Sequence, residues 1–189
     1  MYMNRIKVLV RSLSIGFVLT LFALIVSVQP VFADGPLVTG AIIAGLLTEV
    51  APVAEAFTGS PGSTATYTIP ITVSDLTGGS SGWKLSITST TFATAVGGNT
   101  LPTTASTITG VTATCTVLGS CSLNTPTNTV STLPAVPAGT TPPTPVVFFD
   151  TTTARGIFTV TPTIAVAIPS TANLGTYLST VTLSIATGP

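Results

Sequence analysis

Thr64-Ala65-Thr66-Tyr67-Thr68-Ile69-Pro70-Ile71-Thr72-Val73-Ser74-Asp75 alternates almost residue by residue between apolar side chains and hydroxyls. Tyr67, Ile69, Ile71 and Val73 fall on one face of an extended chain, with Thr66, Thr68 and Thr72 on the other. A period of two marks a half-buried strand rather than a helix. After the glycine-rich turn 75–82 the rhythm returns, with Trp83, Leu85 and Ile87 opposite Lys84, Ser86 and Thr88. Outward from there, Thr107 to Val117 places Val111, Ala113, Cys115 and Val117 on one side, and Val146 to Phe149 is a short continuous apolar strand. Phe158, Val160, Ile164, Val166 and Ile168 form another apolar face, where Pro162 predicts an edge position or a bulge. Tyr177, Val181, Leu183 and Ile185 share the face of the last strand, opposite Thr180, Thr182 and Ser184. One-sided strands at this density predict an all-β fold, an antiparallel β-sandwich of Ig-like or Greek-key-like type.

Two stretches break the pattern. Within Leu37 to Ala56, residues 38–43 suit a strand and Leu46 to Ala56 a short helix. Asn124 to Pro145 carries six prolines among threonines, which predicts an extended surface excursion, a mobile or glycosylatable insertion in preference to a binding loop.

Only 5% of the 189 residues are charged, five basic and five acidic, and there is no His. Ordinary soluble domains carry about a quarter charged residues, so such a chain belongs either to a membrane or to a hydroxyl-solvated extracellular protein. The N-terminus decides between them. Arg5, Lys7 and Arg11 precede the apolar run Leu13 to Val28, and Val31-Phe32-Ala33 supplies a small-residue cleavage site, so residues 1–33 read as a secretory signal peptide. The mature chain, 34–189, is then a single domain with no stable membrane span. Lys84 and Arg155 stand against five carboxylates, a balance that excludes nucleic-acid binding by phosphate neutralisation.

Export implies an oxidising setting, so Cys115 and Cys121 are expected to form a local disulfide. Without His or a C-x-x-C pair, no metal site or cofactor is expected. Asp75 and Asp150 are the carboxylates a secreted hydrolase would use, but a turn-starting Asp usually bonds its own backbone, so no catalytic residue is assigned and the protein is read as a non-enzyme. Lys84 alternates to the face opposite Trp83 and Leu85, which suits a solvated lysine rather than an isopeptide partner. Leu101-Pro102-Thr103-Thr104-Ala105 is not a sorting signal, because it is internal and lacks the final Gly.

Val73-Ser74-Asp75, the glycine-rich turn and Gly82-Trp83-Lys84-Leu85 resemble the first signature of WxL-domain surface proteins of Gram-positive bacteria. Ile168-Pro169, Gly175-Thr176-Tyr177 and the spacing of Val181, Thr182, Ile185 and Pro189 are similar to the second, with Leu183 where the family has its distal Trp. The resemblance implies a secreted β-sandwich held non-covalently at the cell surface, with cell-wall peptidoglycan as partner. Trp83, Leu85, Tyr177, Leu183 and Ile185 would be its motif residues. A structural or adhesive subunit contacting other surface proteins is the alternative. Trp83 itself has two expectations: a buried plug between sheets, which packing favours, or a part-exposed sugar platform near Tyr177.

Overall fold

A computed structural model of the protein describes residues 42, 44–53, 55–116, 121 and 125–188. The signal peptide expected over 1–33, the strand expected over 38–43 apart from Ile42, Val117 and Asn124 lie outside these residues. The described chain contains eleven strands: β1 (Leu47–Val50), β2 (Thr64–Thr68), β3 (Ile71–Asp75), β4 (Trp83–Thr90), β5 (Ala93–Thr94), β6 (Ser106–Cys115), β7 (Ala138–Gly139), β8 (Val146–Thr151), β9 (Gly156–Ala167), β10 (Tyr177–Leu178) and β11 (Val181–Thr187). No described residue is helical, and the expected helix over 46–56 is replaced by β1, whose Thr48 and Val50 pair with Ser74 and Thr72.

Two sheets form the sandwich. In the first, β9 is central: β6 runs along one edge, while β2 and β3 lie end to end along the other, with β1 outside β3. In the second, β4 is central, with β11 on one edge and β8 and the short parallel β7 on the other. From β3 onward each step between long strands changes sheet, the crossing habit of Greek-key sandwiches. The inward faces meet in one core containing Ile71, Val73, Ile108, Phe158, Val160 and Ile164 from the first sheet and Trp83, Leu85, Ile87, Phe148 and Phe149 from the second.

Local irregularities explain residues that simple alternation misplaces. Leu85 pairs with Phe149 but Ser86 pairs with Val147, so Phe148 is the extra residue of a bulge and both phenylalanines turn inward. Pro162 lies not on an edge strand but in central β9, one pair away from a bulge in β6, where Ile108 pairs with Ile164 and Gly110 with Thr163. The Pro162 carbonyl accepts from Ile69 N–H at 3.2 Å, so its missing donor also faces the Ile69–Pro70 break between β2 and β3, where a ladder bond is dispensable. The final run is likewise two strands. Ser179 Oγ donates to the Thr90 carbonyl at 2.6 Å and Thr180 N–H donates to Thr90 Oγ1 at 2.8 Å, separating Tyr177 in β10 from Leu183 and Ile185 in β11.

The proline-rich insertion departs most from expectation. Instead of leaving the surface, residues 125–145 lace the two sheets together along one flank. Val136 is 2% exposed and lies in the core, donating through its N–H to Ser106 O, while Ile108 N–H donates to Pro134 O. One residue on, Pro137 O accepts from Ser89 N–H of the other sheet. Asn128 accepts at Oδ1 from Asp150 N–H and donates through Nδ2 to Phe148 O, sealing the outer edge of β8. Prolines suit this task because a strap that borrows bonds from sheet edges needs few donors of its own.

Cys115 and Cys121 form the expected disulfide, with Cα atoms 6.1 Å apart. It closes the loop leaving β6 and holds Cys121 against the β9 backbone, its Sγ 3.1 Å from Ile157 O.

Candidate functional site

The fold brings four of the five motif residues together and leaves Tyr177 apart: Ile185 pairs with Leu85 across the β4–β11 ladder, next to Trp83 and Leu183 on the same core-facing side. Trp83 and Leu85 are fully buried. The indole stacks on Phe149 of its own sheet, with ring centroids 5.1 Å apart, and tilts against Phe158 of the opposite sheet at 6.3 Å. The packing expectation for Trp83 therefore holds, and the sugar-platform expectation is corrected: a ring sandwiched between sheets has no face left for a ligand. Its Nε1 has no hydrogen-bond partner, so shape rather than polarity fixes the ring.

Leu183 and Ile185 are half-buried on the inner face of β11. Leu183 lines a cleft of about 230 Å³ with Glu55, Phe57, Tyr67 and Val181, where the segment after β1 passes β11. Tyr67 stacks on Phe57 at 5.5 Å, and burial pushes its hydroxyl up to about 12 from the usual 10.0. Because the folded state holds the neutral phenol, this stabilisation is complete below pH 10 and is lost as pH rises through 10 to 12. The complete loss amounts to roughly 3 kcal/mol. Denaturant unfolding at about pH 8, below that window, and at about pH 11.5, towards its upper end, should show most of that loss in the native chain but not in Tyr67→Phe. An equal loss in both would trace it to another group.

Tyr177 lies elsewhere. β10 pairs with β5 in a small separate sheet, and the Tyr177 ring borders a second cleft of about 350 Å³ with Asn99, Thr100, Pro102, Pro169 and Asn173. The Tyr177 hydroxyl donates to Asn173 O at 2.9 Å, and Asn173 Nδ2 donates to Asn99 Oδ1 at 2.7 Å, tying the 95–102 loop to the segment after β9.

The carboxylates expected for a hydrolase have structural neighbours. Asp75 Oδ1 accepts from Thr77 N–H at 3.1 Å and Thr77 Oγ1 at 2.7 Å, closing the turn it begins. Asp150 faces Lys84 across the β4–β8 ladder, and its Oδ1 is buried without a hydrogen-bond partner. Among the described residues there is no group of His, Cys, Asp or Glu arranged to hold a metal ion.

The broadest chemical feature is the outer face of the first sheet. Register places Thr72, Thr159 and Thr114 in one cross-strand row, Thr161 beside Thr112, and Thr68 beside Thr163. Thr64, Thr66, Thr107 and Thr109 extend the array, and all four are exposed. Neighbouring hydroxyl positions are about 4.8 Å apart across strands and about 6.8 Å apart along them. Thr116 and Thr159 hydroxyls meet at 2.8 Å, and Thr109 Oγ1 donates to Thr163 O at 3.3 Å. The alternation identified threonines strand by strand; only the register reveals that four strands align them into a grid.

No protein-family model matches the chain, and no curated protein matches it. The likeness to WxL-domain proteins therefore rests on its quoted residues alone.

Proposed function

We propose that this is an exported, non-enzymatic surface protein that associates non-covalently with the bacterial cell wall, with peptidoglycan as its partner. The observation that carries this reading is the uncharged threonine grid on β2, β3, β6 and β9. A repetitive glycan presents hydroxyls and amides at regular intervals, and a grid of hydroxyls meets it with many weak bonds whose sum gives retention without a deep pocket. Each bond contributes little, so no single threonine is decisive. Trp83 supports the surface indirectly by fixing how the two sheets pack.

Sedimentation of the mature chain with purified cell walls tests the proposal. The native chain should co-sediment, and a Thr159→Ala/Thr161→Ala/Thr163→Ala variant of unchanged fold should lose roughly tenfold in retention, two or three weak bonds' worth. Retention no greater than that of an unrelated acidic sandwich would refute it.

A further inference from the structure

The strap over 125–145 leaves one stretch fully at the surface. Pro126 and Val136 are buried and Asn128 seals β8, but Thr140 to Pro145 are six consecutive exposed residues. The stretch is tied down: Thr91 N–H donates to Gly139 O at 2.8 Å, and Thr88 Oγ1, on the outer face of the second sheet, donates to Pro143 O at 2.9 Å. Pro142, Pro143 and Pro145 fix their own φ, and Thr141 and Thr144, each directly before a proline, are turned away from the helical region. Such a run favours polyproline geometry, in which three residues make one turn of about 9 Å. Thr141 and Thr144 are three positions apart, so they stand on one side of it. The hydroxyls of Thr140, Thr141 and Thr144 make no hydrogen bond to any described residue, while nearby Thr88 and Thr129 spend theirs on backbone carbonyls.

Extended threonines held between prolines suit O-linked glycosylation, because the acceptor hydroxyl must enter a catalytic cleft with its flanking backbone clear. We infer that Thr141 and Thr144 are O-glycosylation sites, each accepting a neutral monosaccharide from a phosphate-activated sugar donor. The threonine Oγ1 attacks the anomeric carbon, and the bond from that carbon to the donor's phosphate oxygen breaks as the new C–O bond forms. The phosphate leaves with the bonding pair, and the hydroxyl proton passes to a base of the transferring enzyme. The grid threonines do not compete. They lie in paired strands, so presenting one to an enzyme would require opening the sheet. The bond from Thr88 places the modified stretch on the second sheet, away from the grid on the first, so sugars there leave the proposed wall surface uncovered. The inference rests on the export within the proposed function and not on wall binding.

Intact-mass spectra of the protein as its own cells export it, followed by electron-transfer fragmentation, test the inference. The chain should begin at Asp34 and exceed its sequence mass by whole monosaccharide increments, sited at Thr141 and Thr144 and removed by alkaline β-elimination. A Thr141→Val/Thr144→Val variant should lose all of them with an unchanged unfolding midpoint, whereas Thr161→Val keeps them. An unmodified chain beginning at Asp34, increments sited on other residues instead, or a phosphoryl increment would overturn the inference alone. A chain that retains residues 1–33 would overturn the export reading and the inference together. Wall sedimentation is scored separately: a modified chain that walls do not retain sinks the wall reading alone.

Discussion

Trp83→Ala is expected to lower stability by about 3 to 5 kcal/mol, the range for removing a large aromatic from a packed core. The side chain is fully buried and touches aromatic rings from both sheets, so the void would open in the inter-sheet seam. For a domain of this size the melting temperature should fall by roughly 10 °C or more. Trp83→Phe should cost much less, since Phe retains the stack on Phe149 and removes an indole N–H that has no partner. The native protein offers a direct control because Trp83 is the only tryptophan. Its emission should be blue-shifted and shielded from acrylamide until the protein unfolds. A red-shifted, readily quenched signal together with a near-neutral Trp83→Ala would place the indole at the surface and restore the sugar-platform reading.

How far the fold could be read in advance depended on whether neighbours or distant strands decide a residue's place. Period-two alternation was enough for the inward sets Ile71 and Val73, Trp83 to Ile87, and Phe158 to Val166, because on a strand the face is a local property. It failed where two strands must be matched. The bulge at Phe148 and the tolerance of Pro162 in a central strand arise from partner registers 60 or more positions away in sequence. The insertion 125–145 looked like solvent-exposed chain because its composition is that of exposed chain. Its order comes from the unpaired edges of β4, β6 and β8, which no local window contains. The same limit applies to function: Tyr177 and Leu183 are six residues apart and alternate onto one face of what reads as a single strand, yet a break at Ser179–Thr180 sends them to separate clefts.

Gly82→Ala is expected to be comparably damaging for a reason the sequence conceals. Gly82 ends the glycine-rich turn and could pass for one more flexible residue. Its backbone is not in the left-handed region, so conformational freedom is not what it supplies. A Cβ at this position would fall on the carbonyl of Thr151, the backbone that pairs with Trp83 where β4 begins beside β8. On its other side Gly82 O accepts from Gly188 N–H at 2.8 Å, which fixes the end of β11. The residue is thus held between two strands and cannot retreat from the clash without breaking one of the pairings. Overpacking against backbone costs about 3 kcal/mol or more when neither side yields. Gly79→Ala, in the same turn, is the matched control: an added methyl would meet only ordinary contacts, so its effect should stay within about 0.5 kcal/mol. Urea unfolding of the two variants separates close approach from turn flexibility. Similar losses in both would mean that the turn needs its glycines for freedom; a large loss at Gly82 alone would mean that the residue before Trp83 is small so that β8 can reach the indole.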